Sequence, residues 1–185
     1  VHYIKGMVGK VVPEGKLPAS FPAFTGQCPI YYNRYNTGRP VACDTKRVAY
    51  SSSYIDGPVR PLYPFGYGLS YSTFEYSDLK VEKRDGGVVV SFAVKNTGGM
   101  DAAEVAQVYV GDVEASVPRP AKELKGYEKI FLKKGEQKRV EVTLTDEAFR
   151  FYDIFSHGFV TEPGDFNIFV GSSCEDIRLR GGVTL

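Results

Sequence analysis

The stretch "GVVVSFAVKNTGGMDAAEVAQVYVGD", residues 87–112, decides how this chain folds. Val88, Val90, Phe92 and Val94 recur at every second position, so an extended backbone sends all four to one face. The run stops at "NTGG", residues 96–99, a turn signal, and "AEVAQVYVGD", residues 103–112, supplies a second strongly apolar strand.

The same texture continues on both sides. "KELKGYEKIFL", residues 122–132, predicts a third strand, closed by the charged turn "KKGEQ" around Gly135. Val140, Val142 and Leu144 predict a fourth with clean alternation, and Phe166, Ile168 and Val170 a later one after "EPGD". Ile177, Leu179, Val183 and Leu185 share one parity and predict a last strand, broken or bulged at Gly181 and Gly182. Upstream, Phe74 and Tyr76 are even but Leu79 and Val81 are odd, a parity switch that predicts a bulge near Ser77 and Asp78. "DEAFRFYDIFSHGFV", residues 146–160, reads as a turn, a short strand and a loop, with Phe149, Phe151, Phe155 and Phe159 plugging the end of the core and Asp153 capping backbone donors. Six or seven strands in about 110 residues, with no long helix, predict an all-β, immunoglobulin-like or fibronectin type III-like β-sandwich over residues 74–185.

Residues 1–73 are different. Pro and Gly punctuate them every few positions, which predicts a long, mostly irregular segment with short strands at Ile30–Tyr32 and Val48–Tyr50 and no core of its own. Its Tyr and Phe content is too high for disorder, so packing must order it, partly onto a body outside this chain. It ends in "PLYPFGYGLSYSTFEY", residues 61–76, where Tyr63, Phe65, Tyr67, Leu69 and Tyr71 alternate with Pro, Gly and Ser. An extended strip of this kind is bulky on one face and bare on the other, and the glycines let another backbone approach. Pro61 and Pro64 argue for a connector over a central strand.

Composition narrows the function. The 185 residues carry 23 basic and 22 acidic side chains, a formal +1, with no basic block, so nucleic acid is not an expected partner. No apolar run approaches the ~18 residues a membrane span requires. Cys28, Cys43 and Cys174 form no metal-ligand spacing; a Cys28–Cys43 disulfide and free buried thiols both remain open. With two isolated histidines, His2 and His157, neither a metal nor any other cofactor is expected.

"EGKLPASFP", "IYYNRYNTGRP", "LYPFGYGLSYSTFEYSDLKV", "ELKGYEKIFLKKGE" and "EPGDFNIFVGSSCEDIRL" together resemble, in order, the C-terminal part of glycoside hydrolase family 3 enzymes, the β-glucosidase and β-xylosidase group. The resemblance implies that residues 1–73 are the end of an α/β sandwich domain and its linker, and 74–185 a fibronectin type III-like domain. It further implies that the catalytic Asp and Glu lie upstream, so no residue here inherits a catalytic role. Glu75, Asp78, Asp85, Glu136, Glu141, Asp146 and Glu147 read as solvated surface charge, and Asp44 and Asp56 as linker residues.

The implied partners are the catalytic domains of the parent chain and, through them, a carbohydrate substrate. Arg39, Arg60, Tyr63, Phe65, Tyr67 and Tyr71 are the candidates for the docking surface, because Arg and Tyr are favoured interface anchors. Periplasmic or secreted placement follows from the family's habit. The competing reading, an independent carbohydrate-binding or adhesion module, requires an exposed row of aromatic side chains.

Overall fold

The computed structural model describes residues 2–35, 37–40, 50–55 and 57–185, with backbone alone for residues 2–4. It is an antiparallel β-sandwich preceded by an irregular segment. After a short helix α1 (His2–Met7), not anticipated from the sequence, no strand of the main sheets forms among the described residues until β1 (Phe74–Arg84). There follow β2 (Gly87–Asn96), β3 (Ala102–Asp112), β4 (Glu123–Leu132), β5 (Gln137–Leu144), the short hairpin β6 (Phe151–Asp153) and β7 (Gly158–Val160), then β8 (Asp165–Gly171) and β9 (Ile177–Thr184).

One sheet has the order β1-β2-β5 and the other β4-β3-β8-β9, and β1 lies across from β9, β4 from β5. The alternating positions meet between the sheets: Val88, Val90, Phe92 and Val94 are wholly buried, and Ala106, Val108, Leu132, Val140, Leu144, Phe166, Ile168 and Val170 complete the core with them. Hydrophobic burial of this paired inner surface is the main stabilising contribution. Asn96 closes the β2–β3 turn. Its amide donates to the carbonyls of Met100 and Leu132 at 2.8 and 3.1 Å, and its Oδ1 accepts from the Gly98 amide at 3.0 Å.

The parity switch in β1 is a bulge: its register against β2 shifts between Ser77 and Lys80, and Asp78 takes a positive φ of 54°. Gly181 and Gly182, by contrast, pair regularly with Ile168 and Asn167, and the register shift on β9 falls opposite Gly171. Gly181 serves the space between sheets, since a Cβ there would stand 3.1 Å from the Leu79 side chain and 3.2 Å from Val81.

The corner after β5 differs from its expectation in part. Phe149 does plug the core, edge-on to Phe166 at 5.1 Å, and Asp153 does cap, accepting from the Phe155 and Ser156 amides at 3.1 and 2.9 Å. The Ser156 side chain, followed by the Phe155 and Ser156 amides, holds the Asp153 carboxyl below its usual range. Phe155 and Phe159, however, project into solvent, 87% and 69% exposed. A hairpin whose strands are three residues each is too short to return these side chains to the core.

Candidate domain-docking surface

Residues 14–35 and 57–73 form a strap across the outer face of the four-stranded sheet. β3 shows why it is there. Gln107 and Tyr109 point away from the core, yet they are 3% and 0% exposed. The strap covers them. Phe65 stacks on Tyr32 with centroids 4.2 Å apart, Tyr32 meets Tyr109 edge-on at 6.1 Å, and the Leu124 amide donates to the Tyr32 hydroxyl at 3.0 Å. Burial raises the pKa of both phenols.

Gln107 fixes the strap's register. Its Nε2 donates to the carbonyls of Gly66 and Ser172 at 3.1 and 2.7 Å, while its Oε1 accepts from the Tyr109 hydroxyl at 2.5 Å. Gly66 has a φ of +79°, and a Cβ there would collide with the Gln107 amide, so glycine is required for both reasons. The Cys174 amide donates to the Phe65 carbonyl at 3.1 Å, and burial beneath the strap pushes the Cys174 thiol up to about 11.

The two halves of the strap hold each other. Leu17 N donates to Tyr67 O at 2.8 Å and Gly66 N to Leu17 O at 2.9 Å; Phe21 N donates to Tyr63 O at 2.8 Å and Leu62 N to Phe21 O at 2.8 Å. Gln27, 1% exposed, accepts from the Ala23 amide at 2.6 Å and donates to the carbonyls of Pro58 and Arg60 at 2.8 and 2.9 Å. At the sheet's edge Lys16 Nζ lies 3.0 Å from Glu104, whose carboxylate also accepts from the Tyr76 hydroxyl at 3.1 Å. Ser72 ties the exit of the strap to Asn96 at 2.6 Å.

The strip is therefore not an alternating strand. As a connector it makes an isolated bridge, Phe21 to Tyr63, in place of a ladder; Ile30–Tyr32 forms no strand, and residues 48 and 49 of the other expected strand lie outside the described residues. Pro and Gly bend the chain, and its rings divide between two duties. Phe65 and Tyr67 are half-buried in contacts within the chain. Tyr63, stacked on Tyr67 at 5.1 Å, and Tyr71, whose hydroxyl donates to Gly6 O at 3.1 Å, keep one side in solvent. Arg39 is exposed and donates to Tyr50 O at 3.4 Å; Arg60, also exposed, approaches Glu175 at 4.0 Å. Leu62 and Leu69 extend the exposed apolar surface beside them. Cys28 is exposed, whereas Cys43, Asp44 and Asp56 lie outside the described residues.

Sequence reasoning missed Lys16, Glu104 and Gln107. The signal was present in β3: Glu104 shares the parity of Ala106 and Val108, and Val105 and Tyr109 make the opposite face apolar as well, as in a strand covered on both sides.

A sandwich with a covered outer sheet matches a described class of domain. The fibronectin type III-like domain model matches residues 104–174. The chain is 48% identical over 180 residues to the periplasmic β-glucosidase of Salmonella typhimurium, and 41% identical over 188 residues to thermostable β-glucosidase B of Acetivibrio thermocellus. These matches take in 95% and 96% of this chain but 23% and 24% of the relatives. The crystal structure of the Listeria innocua β-glucosidase with isofagomine superposes with a TM-score of 0.89 at 45% identity, over 98% of this chain and 26% of that one. The chain thus spans about a quarter of the length of the proteins it matches. It corresponds to the C-terminal, fibronectin type III-like region of glycoside hydrolase family 3 enzymes.

Proposed function

We propose that this chain is the non-catalytic bracing portion of a β-glucosidase-type enzyme that removes terminal β-glycosides, and that it borders the active site without supplying its chemistry. The observation that carries this reading is the two-sided strap. Its inner side is locked to the sandwich through Gln107, Tyr32 and Glu104, while Arg39, Arg60, Tyr63 and Tyr71 remain turned outward. A segment built in this way joins the sandwich to a second body. Retaining glycoside hydrolysis needs two carboxyl groups ~5–5.5 Å apart, and this reading places both in the catalytic domains. The Salmonella relative's description as periplasmic supports an exported parent.

The test is hydrolysis of an aryl β-glucoside by the full-length enzyme, by the enzyme truncated before Phe74 and by this chain alone. Activity in the first, loss of activity or thermal stability in the second and no turnover in the third are expected. Full activity and stability in the truncated enzyme would remove the bracing role.

A further inference from the structure

The exposed hairpin that the corner reading missed forms one wall of a groove. The other wall is strap residues 31–35, and the groove, about 860 Å³ in volume, is floored by the loop of residues 117–120. Tyr31, Tyr35, Tyr152 and Phe159 line it and are each more than half exposed, so ring surface is left open to solvent. The walls are braced from behind. Arg119 pairs with Asp112 at 2.9 Å, donates to the Phe149 carbonyl at 3.1 Å and lies 5.6 Å over the Phe151 ring, which fastens the base of the hairpin to β3. Tyr35 bridges to Pro120, and Tyr152 holds Phe159 edge-on at 5.5 Å.

The polar groups in the groove select its occupant. Arg34 and Arg150 have no ion-pair or hydrogen-bond partner among the described residues, whereas Lys125 is answered by Glu123 at 3.6 Å. Glu147 adds a carboxylate to the same lining. A lining that holds both donors and an acceptor suits hydroxyls, which donate and accept; an anion would gain the two guanidinium groups but meet the carboxylate, and a cation the reverse. Flat rings interleaved with such groups suit the apolar C–H face and the hydroxyl rim of a pyranose. An open groove with rings on both walls suits a chain of sugars.

We infer that this groove is a glycan-binding site that holds an extended, neutral β-glucan chain, with pyranose rings on Tyr35, Tyr152 and Phe159 and hydroxyls on Arg34 and Arg150. The choice of a glucan rests on the β-glucosidase reading; the groove's own chemistry requires only a neutral hydroxylated chain. Recognition of polymer by the groove would keep the parent enzyme near material that yields its substrate.

Affinity electrophoresis of this chain through gels holding barley mixed-linkage β-glucan tests the inference, with polygalacturonate and dextran gels beside it. Retardation by the β-glucan is expected, with Kd weakened on the order of tenfold in Tyr152→Ala and in Phe159→Ala, and also in Arg150→Met. These side chains are exposed, and unchanged thermal unfolding of each variant shows that the fold is intact. Titration of the isotope-labelled chain with cellotetraose adds a mutation-free measurement, in which the shifts should cluster at residues 34, 150, 152 and 159. No retardation, retardation equal in all variants, or retention by polygalacturonate alone would overturn the site. Retention by dextran, an α-linked glucan, as strong as by the β-glucan would refute the choice of a β-linked chain. The bracing role stands or falls on the truncation assay, so the two failures are distinguishable.

Discussion

Glu104 is a carboxylate on the core-facing side of an apolar strand, and its partners decide whether that is tolerable. It is 4% exposed, held by Lys16 Nζ from the strap and by the Tyr76 hydroxyl from β1. Removing one partner of a buried ion pair leaves the other charged and desolvated, which costs about 3–5 kcal/mol, whereas replacing both with apolar groups is close to neutral. Lys16→Met should therefore destabilise the chain by roughly 3 kcal/mol in urea denaturation, and adding Glu104→Leu should restore most of the loss. Additive losses in the double variant would show that the pair does not act as a unit. Gln107 works by a different route. It has no charge to neutralise, but its one amide serves Gly66, Ser172 and Tyr109, and removing it would leave two carbonyls and a hydroxyl unpaired in a dry site.

Among the elements, the strands were the legible part. Period-two alternation in β2, β5 and β8 marks its own inner face, and the bulge at Asp78 was written in the parity of four apolar residues. The strap was legible only as a segment needing a partner. Its path is set by long-range bonds from Gln27 and Gln107, and an isolated glutamine in a sequence gives no sign of what it will bond. Likewise, four phenylalanines at mixed spacing cannot reveal that a hairpin carries two of them outward. The covered face has a measurable property. The Cys174 thiol stays protonated to about 11 when folded, while an exposed thiol ionises near 8.5. Between these values the folded chain binds the extra proton, so its stability falls as pH rises, by about 1.4 kcal/mol per pH unit. Half-buried Tyr32 and buried Tyr109 steepen the fall above pH 10. Urea denaturation at pH 8.5 and pH 10.5 should show this loss, with a smaller one in Cys174→Ala. A stability independent of pH across that interval would mean that the strap lifts freely in the native state.

At the scale of the whole molecule, the two sheets differ in what they can expose. β5 alternates strictly, with Gln137, Arg139, Glu141 and Thr143 outward, so the outer face of its sheet bears a polar row at that edge. The opposite sheet places Tyr109 on its outer face and depends on residues from the strap to cover it. Deleting residues 1–73 should accordingly give a protein that binds an apolar dye and self-associates at micromolar concentration. A monomeric, dye-silent product would show that β3 and β8 tolerate water on that side. The dependence also bears on how such chains exchange parts. A crossover placed at Phe74, where the first long strand begins, would separate Gln107 from Gly66 and Glu104 from Lys16 and pair each with a foreign strap. Chimaeras joined upstream of Glu14 keep these contacts within one parent, so the heritable module is longer than the visible sandwich.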